Sequence, residues 1–353
     1  MNMFLKSTGM VCMALAVSSQ AFGMDEVEEL KRRLDALEQR SAVSAEPSGE
    51  KKGSISFGGL VEVEANYQDT EGAESTTDLT LATFELGVEA RVNPWLSAYG
   101  VLLYEQGESD DRFIVDEAYI RMKSDSSPIF AEVGRFTQSF GRFESGMISD
   151  PMTLELGETK HHASVKAGYE QEGLLASLSV FKGDVQKTDE NEINSLVASI
   201  DWAEEVGDFH YGVGASWTNN IGDTDGLQGE DDSVNRQTDD LVGGWTASAM
   251  AGYKSFELRG EYLGALDKFS DGESVGRQPA AWSVEAGYSF DAPFSLAVRY
   301  EGSDDFDTND KRYGATLGWD VADGAGLAFE YQRADNKGAA DSDTFTMQLA
   351  MEF

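Results

Sequence analysis

The chain of 353 residues carries 64 acidic against 27 basic side chains, a formal net charge of −37. That balance excludes a nucleic-acid binder, whose phosphate contacts need a basic footprint. Hydrophobic residues make up 41% of the chain, but no run approaches the roughly 18 apolar residues of a membrane helix, apart from a shorter stretch at the start. Any membrane crossing therefore has to be made by strands.

Met1 to Lys6 carries one positive charge and is followed by an apolar stretch around Gly9 to Ala16. Small residues at Ser19-Gln20-Ala21 or Ala21-Phe22-Gly23 then suit a cleavage site, so residues 1–23 read as a secretory signal peptide, cleaved after Ala21 or Gly23. The single cysteine, Cys12, falls within it, which leaves no disulfide, thiol chemistry or cysteine metal site for the exported chain. Residues 24–41 change character: Val27, Leu30, Leu34 and Leu37 form an apolar seam among charged residues, the pattern of a short heptad helix. Such a seam packs either on a neighbouring surface or in a small coiled coil. Residues 42–52, rich in Ser, Ala, Glu, Pro, Gly and Lys, read as a linker.

From residue 53 to residue 353 the period is two. Ile55, Phe57, Val61, Val63 and Tyr67 alternate with polar residues, as do Phe84, Leu86 and Val88 in the next segment. Later segments repeat the pattern, among them Phe209-Tyr211-Val213-Ala215-Trp217 and Tyr313-Ala315-Leu317-Trp319. The last stretch, Ser342 to Phe353, places Phe345, Met347, Leu349, Met351 and Phe353 on one face. Segments of this kind, separated alternately by tight turns and longer polar loops, number about sixteen and are each long enough to cross a bilayer at a tilt. The expected fold is an all-β, antiparallel transmembrane barrel, with both termini on the short-turn side. Tyr67, Trp217, Tyr253, Tyr300 and Trp319 suit its interfacial girdles. A terminal Phe353 after alternating apolar residues resembles the assembly signal of outer-membrane barrels. It implies outer-membrane lipid and the barrel-assembly machinery as partners, and the outer membrane of a Gram-negative bacterium as the location. A secreted, calcium-loving β-protein is the reading from another class.

In a barrel the alternate face lines water, where charge is tolerated and sets selectivity. Glu85, Glu89, Glu117, Arg121, Lys166 and Arg299 are the expected pore-lining set, and Glu257, Glu261, Glu285, Glu301, Glu330 and Arg312 share that face. Their acid excess predicts a cation-favouring lumen. The third long loop, Gly134 to His162, is the most individual segment, and in large porins the third loop often narrows the pore. Arg135, Arg142, Lys160, His161 and His162, opposed by Glu144, Asp150, Glu155 and Glu158, are the expected constriction. By strict alternation Arg135 points to lipid, so the strand has to end or bulge near Gly134.

No cofactor is expected. Asp223-x-Asp225-Gly226 and Asp305-x-Asp307-x-Asn309 lack the Gly and Glu that an EF-hand requires, which allows weak calcium binding at most. His161 and His162, being adjacent, point to opposite faces of a strand and do not make a shared metal site. His210, beside Ser216 on the inward face, has no orienting partner in the sequence that would make it catalytic. No enzyme activity is expected.

Four stretches carry a family resemblance: GLVEVEANY (59–67), DLTLATFELGVEA (78–90), VDEAYI (115–120) and, most specific, FGRFESGMISDPMTLELGET (140–159). They resemble the siderophore porins typified by the Legionella legiobactin receptor (the LbtU type). The resemblance implies uptake of ferric siderophore across the outer membrane. It conflicts with the bulk charge, because ferric siderophores are often anionic. The alternative is a general cation-preferring diffusion porin for small solutes. A phosphate-selective porin, which needs a run of basic residues, fits less well. The heptads, and the habit of sixteen-stranded porins, favour a homotrimer.

Overall fold

The computed structural model describes residues 53–107, 112–160, 163–228, 236–270, 274–306, 309–337 and 339–353. The expected signal peptide, heptad helix and linker, and both His161 and His162, lie outside the described residues.

The first half of the wall is built from β1 (Ser54–Thr70), β2 (Thr76–Asn93), β3 (Leu96–Tyr104), β4 (Ile114–Lys123), β5 (Ile129–Arg135), β6 (Ser164–Gln171) and β7 (Leu174–Phe181). A short β8 (Val185–Lys187) leaves the wall before β9 (Ser195–Val206) and β10 (Phe209–Thr218), and β11 (Arg236–Thr238) leaves it again. The wall is completed by β12 (Gly244–Tyr253), β13 (Phe256–Ala265), β14 (Ala280–Ser289), β15 (Phe294–Asp304), β16 (Asn309–Ala322), β17 (Ala325–Asn336) and β18 (Ser342–Glu352). Sixteen of these strands form one closed antiparallel barrel, while β8 and β11 pair in parallel outside it.

Period-two patterning explains the closure. Phe345, Met347, Leu349, Met351 and Phe353 are all exposed on the outer surface, as are Leu296, Val298 and Tyr300 on β15. Large apolar groups left open in this way would be a liability in water, but they match a hydrocarbon band. The expected girdle residues Tyr67, Trp217, Tyr253, Tyr300 and Trp319 are outward too. Aromatic pairs mark both rims: Phe209 and Tyr253 at one (ring centroids 4.5 Å apart), Trp245 and Tyr262 at the other (5.0 Å). Amphipathic rings of this kind settle at the headgroup level.

Closure is direct. β18 pairs with β1 from Leu60↔Glu352 to Thr70↔Ser342, and the two strands seal at one rim where Gly59 and Phe353 exchange backbone hydrogen bonds of 2.9 and 3.1 Å. A Cβ on Gly59 would come within 2.4 Å of the Phe353 ring, so the ring lies over that glycine. At the same rim the connections are tight. Glu172 and Gly173 both take positive φ (52° and 78°), as a two-residue hairpin turn of the twist-compatible kind requires.

The long connections emerge at the opposite rim, and there the sequence reading needs correcting. The segment from Phe140 onward, read as a polar loop, has an apolar core. Phe140, Met152 and Leu156 are fully buried against Ile221, Leu263, Ala265 and Ala281, with Phe143, Leu227 and Phe269 packed around them. Its apolar residues follow no period-two rule because they belong to no strand, and so their burial is invisible to a strand pattern. Each such side chain contributes about 1.5–3 kcal/mol when fully covered. Together they place the loop inside the barrel rather than above it.

Candidate functional site

The loop between β5 and β6 starts with a kink. At Gly134 φ is +145°, and a Cβ there would sit 2.2 Å from the carbonyl oxygen of Ala118, so only glycine fits. The strand ends one residue later. Arg135, which alternation alone would send to lipid, donates its Nε to the Asp116 carbonyl at 2.8 Å. The chain then runs into the lumen as far as α1 (Met152–Gly157), a six-residue helix entered through Pro151.

What holds it there is a row of wall carboxylates. Glu261 on β13 accepts the backbone N–H groups of Arg142 and Phe143 at 2.8 and 3.0 Å. Glu285 on β14 accepts from Gly146 N–H and the Ser145 hydroxyl, both at 2.7 Å. Glu330 on β17 accepts from Ile148 N–H at 2.6 Å, and Glu301 on β15 from Met152 N–H at 2.9 Å. Side chains on neighbouring strands that share the inward face thus meet successive residues of an extended loop. Charge-assisted bonds of this type contribute about 1.5–3 kcal/mol each, more than a neutral bond, because the acceptor is ionised.

Two arginines offset part of the row's charge and add a second set of bonds. Arg299 donates to the Ser145 and Ser149 hydroxyls, both at 2.8 Å, and to the carbonyls of Ser149 (2.9 Å) and Asp150 (3.0 Å). It pairs with Glu301 at 3.2 Å. Arg312 bridges Glu301 (2.9 Å) and the loop's own Glu155 (2.6 Å). The planar fork of arginine, with five donors, suits two carboxylates and several carbonyls at once. Glu285, Arg299, Glu301, Arg312 and Glu330 are all buried. Expected to line water, they instead hold the loop against the wall.

Comparison with known proteins places this architecture. A model of the Gram-negative porins matches residues 41–353. The chain belongs to the Gram-negative porin family. Its relatives include a UPF0422 protein of Coxiella burnetii (28% identical over 269 residues, 70% of this chain and 56% of that one). Another is a UPF0422 protein of Legionella pneumophila strain Lens (24% over 282 residues, 70% and 52%). The chain thus spans about half the length of the curated relatives it matches. Among solved structures, Pseudomonas putida OprB matches with a TM-score of 0.62 at 11% identity, over 86% of this chain and 94% of its own. The outer-membrane channel DcaP of Acinetobacter baumannii matches with a TM-score of 0.59 at 14% identity, over 88% and 100%. The fold is that of an outer-membrane channel, and the porin resides in the outer membrane of a Gram-negative bacterium.

In the porin's lumen the middle of the loop covers the arc from β13 to β17, whereas on the wall from β2 to β5, the open wall, only its ends make contact, Thr137 with Glu117 and Lys160 with Asp116. Of the expected constriction residues, Arg142 is held by Glu144 at 2.7 Å and lies 3.7 Å from Asp201. Lys160 pairs with Asp116 and stands 3.6 Å from Glu158, nearly covered. On the open wall Glu89 and Glu117 are half-buried and Arg121 bridges Glu132 and Glu170, whereas Glu85 and Lys166, expected at the water face, are buried. The calcium reading also changes at one site. Asp223 is fully buried, and its two oxygens accept from Val185 N–H (2.9 Å) and the Ser195 hydroxyl (2.6 Å). His210 meets Glu257 at 3.2 Å, and Ser216 bonds Thr246 further along β10.

Asp150 is the residue whose role the sequence does not reveal. Its side chain is buried under the loop, and its Oδ2 meets no donor among the described residues. Burial pushes its carboxyl well above the usual range and the Glu155 charge pushes it further, while Arg299 pulls it partly back; Glu158 and Arg312 face it with opposite, smaller effects. A carboxyl whose pKa is raised by docking binds its proton more tightly in the docked state. Its contribution is therefore fully present below the undocked pKa and is lost as pH rises through the docked value. Acidification should hold the loop more firmly, and Asp150→Asn should remove that dependence. Conductance recorded between pH 4 and 8 for both proteins checks this; an equal pH response in the variant would assign the effect elsewhere.

Proposed function

We propose that the porin is a passive channel for small hydrophilic solutes with a preference for cations. The reading rests chiefly on the arrangement of charges: Arg142 and Lys160 are engaged by carboxylates, while Glu89 and Glu117 on the open wall form no ion pair among the described residues, Lys160 and Lys166 reaching Glu117 only at longer range. Local charge within a narrow aqueous path outweighs distant loop charge, which is screened over about 8 to 10 Å at ordinary salt. In planar bilayers under a potassium chloride gradient, the zero-current potential should take the sign of a cation-preferring pore. Glu89→Gln with Glu117→Gln should move it toward zero. An anion-preferring potential in the wild type would overturn the proposal.

Ferric-siderophore uptake is the second reading, supported by the match of residues 140–159 to the siderophore-porin pattern. It requires cationic groups open to the lumen, and among the described loop residues Arg142 and Lys160 are paired with carboxylates, so it ranks behind. Current block by ferric siderophore in the same membranes would reverse the order. A homotrimer is the proposed assembly, supported by the heptads and by the fold shared with Vibrio cholerae OmpT, which is described in a trimer form.

A further inference from the structure

The open wall carries an aromatic and acidic recess bordered by the start of the loop. Tyr99 on β3 and Tyr119 on β4 are directly paired, and their rings stack at 4.8 Å with an interplanar angle of 17°. Phe136, at the start of the loop, meets Tyr119 edge-on at 5.7 Å and fixes its far side. Beside the stack, Gly87, Val101 and Glu117 complete a shallow, open recess on the inward face of the wall. Glu89 accepts the Tyr99 hydroxyl at 3.1 Å. Glu117 uses Oε1 to accept Thr137 N–H at 3.2 Å. The cations nearest the recess are occupied: Arg121 by Glu132 and Glu170, Lys160 by Asp116, and Lys166 by Glu132 at 3.3 Å. Lys160 and Lys166 still act on Glu117 at longer range, but among the described residues no basic side chain forms an ion pair with Glu89 or Glu117, so two carboxylates stand beside the π-surface. At the floor, a Cβ built on Gly87 has only the Gly58 carbonyl oxygen near it, at 3.7 Å, so glycine at this position leaves the recess open.

We propose that this recess is a docking station for organic ammonium ions, whose charge lies between Glu89 and Glu117 and whose apolar body lies along the Tyr99–Tyr119 stack. A carboxylate supplies the directional charge-assisted bond, and the ring edges and faces supply dispersion and cation–π attraction. An inorganic cation satisfies only the first half of such a site, and an uncharged aromatic only the second. The inference deepens the proposed cation preference and rests on it: it names the class of cation that dwells in the channel.

The test uses the purified full-length porin in planar bilayers, with potassium current as the readout and phenethylammonium as the probe. Phenethylammonium should block the current in a concentration-dependent way, while methylammonium and 2-phenylethanol at the same concentrations should not. Glu117→Gln and Tyr119→Ala should each raise the half-blocking concentration roughly tenfold, the scale of one lost ionic or aromatic contact. Gly87→Leu, which fills the floor while both carboxylates remain, should abolish the block. Heat-modifiable migration of each variant verifies that it is folded. Equal block by methylammonium, or a half-blocking concentration unmoved in all three variants, would overturn the proposal. The zero-current potential, read in the same membranes, separates the two levels. Cation preference without phenethylammonium block sinks only the docking station, whereas anion preference sinks the functional reading beneath it as well.

Discussion

Arg299→Ala should open the porin. Conductance should rise several-fold and larger neutral solutes should pass, while the barrel keeps its heat-modifiable migration. The Arg299 side chain is 2% exposed and makes four hydrogen bonds to loop atoms besides its pairing with Glu301. Removing one partner of a buried ion pair costs about 3–5 kcal/mol, because the remaining charge is left uncompensated. Here Glu285 loses one of its two nearby arginines, Glu301 keeps only Arg312, and the loop loses four of the bonds that hold it. The cost falls on docking and not on the wall, whose strand ladders do not involve the guanidinium. Arg299→Lys, which keeps the charge without the fork, should give an intermediate conductance. A conductance equal to wild type in the alanine variant would mean that apolar packing around Phe140 and Leu156 suffices to hold the loop.

The second large effect is expected at the closing strand. Deleting Phe353, or replacing it with Ser, should collapse the yield of folded barrel in cells while leaving synthesis intact. The magnitude separates two explanations. The seal between Gly59 and Phe353 consists of two backbone hydrogen bonds, worth about 0.5–1.5 kcal/mol each. That is too little to unfold a barrel closed by the full β1–β18 ladder. If Phe353 is an assembly signal, the variants should refold from urea into detergent about as well as wild type yet fail in cells. Failure in both settings would instead assign the effect to the seal itself. Gly59→Val, which forces the ring away, offers a second route to the seal without altering the terminal residue.

Much of this molecule is legible in its sequence because the barrel obeys one simple rule. Phe345 to Phe353 show the lipid face by spacing alone, and the tight turns at Glu172-Gly173 and Ala322–Gly324 show the short side. Strand number follows from counting such segments. The interior is harder to read for a physical reason. Glu285, Arg299 and Glu301 occupy inward positions whether they face water or a docked loop, and period two cannot tell these apart. The deciding information lies in Phe140, Met152 and Leu156, which are more than a hundred residues away in sequence from the wall they cover. Without a period of their own, they read as part of a polar connection. Arg135 is an instructive middle case: alternation flags a conflict at Gly134, and the glycine's φ of +145° resolves it. Asp223 shows the converse, since an Asp-x-Asp pattern suggests an ion until the donors around its oxygens are known.

The third long loop is fixed to the wall of the lumen, and one cross-link tests that directly. A Cβ placed on Gly146 lies 3.3 Å from the Cβ of Ala297 on β15, close to the spacing of a disulfide. The porin with Gly146→Cys and Ala297→Cys should form that disulfide during export into the oxidising envelope, shown by loss of thiol labelling and a reducible mobility shift. Its single-channel conductance should equal that of wild type before and after reduction, because the bond joins atoms already in place. Two freely labelled thiols, or a conductance that falls when the bond forms and recovers on reduction, would show that the loop rests elsewhere.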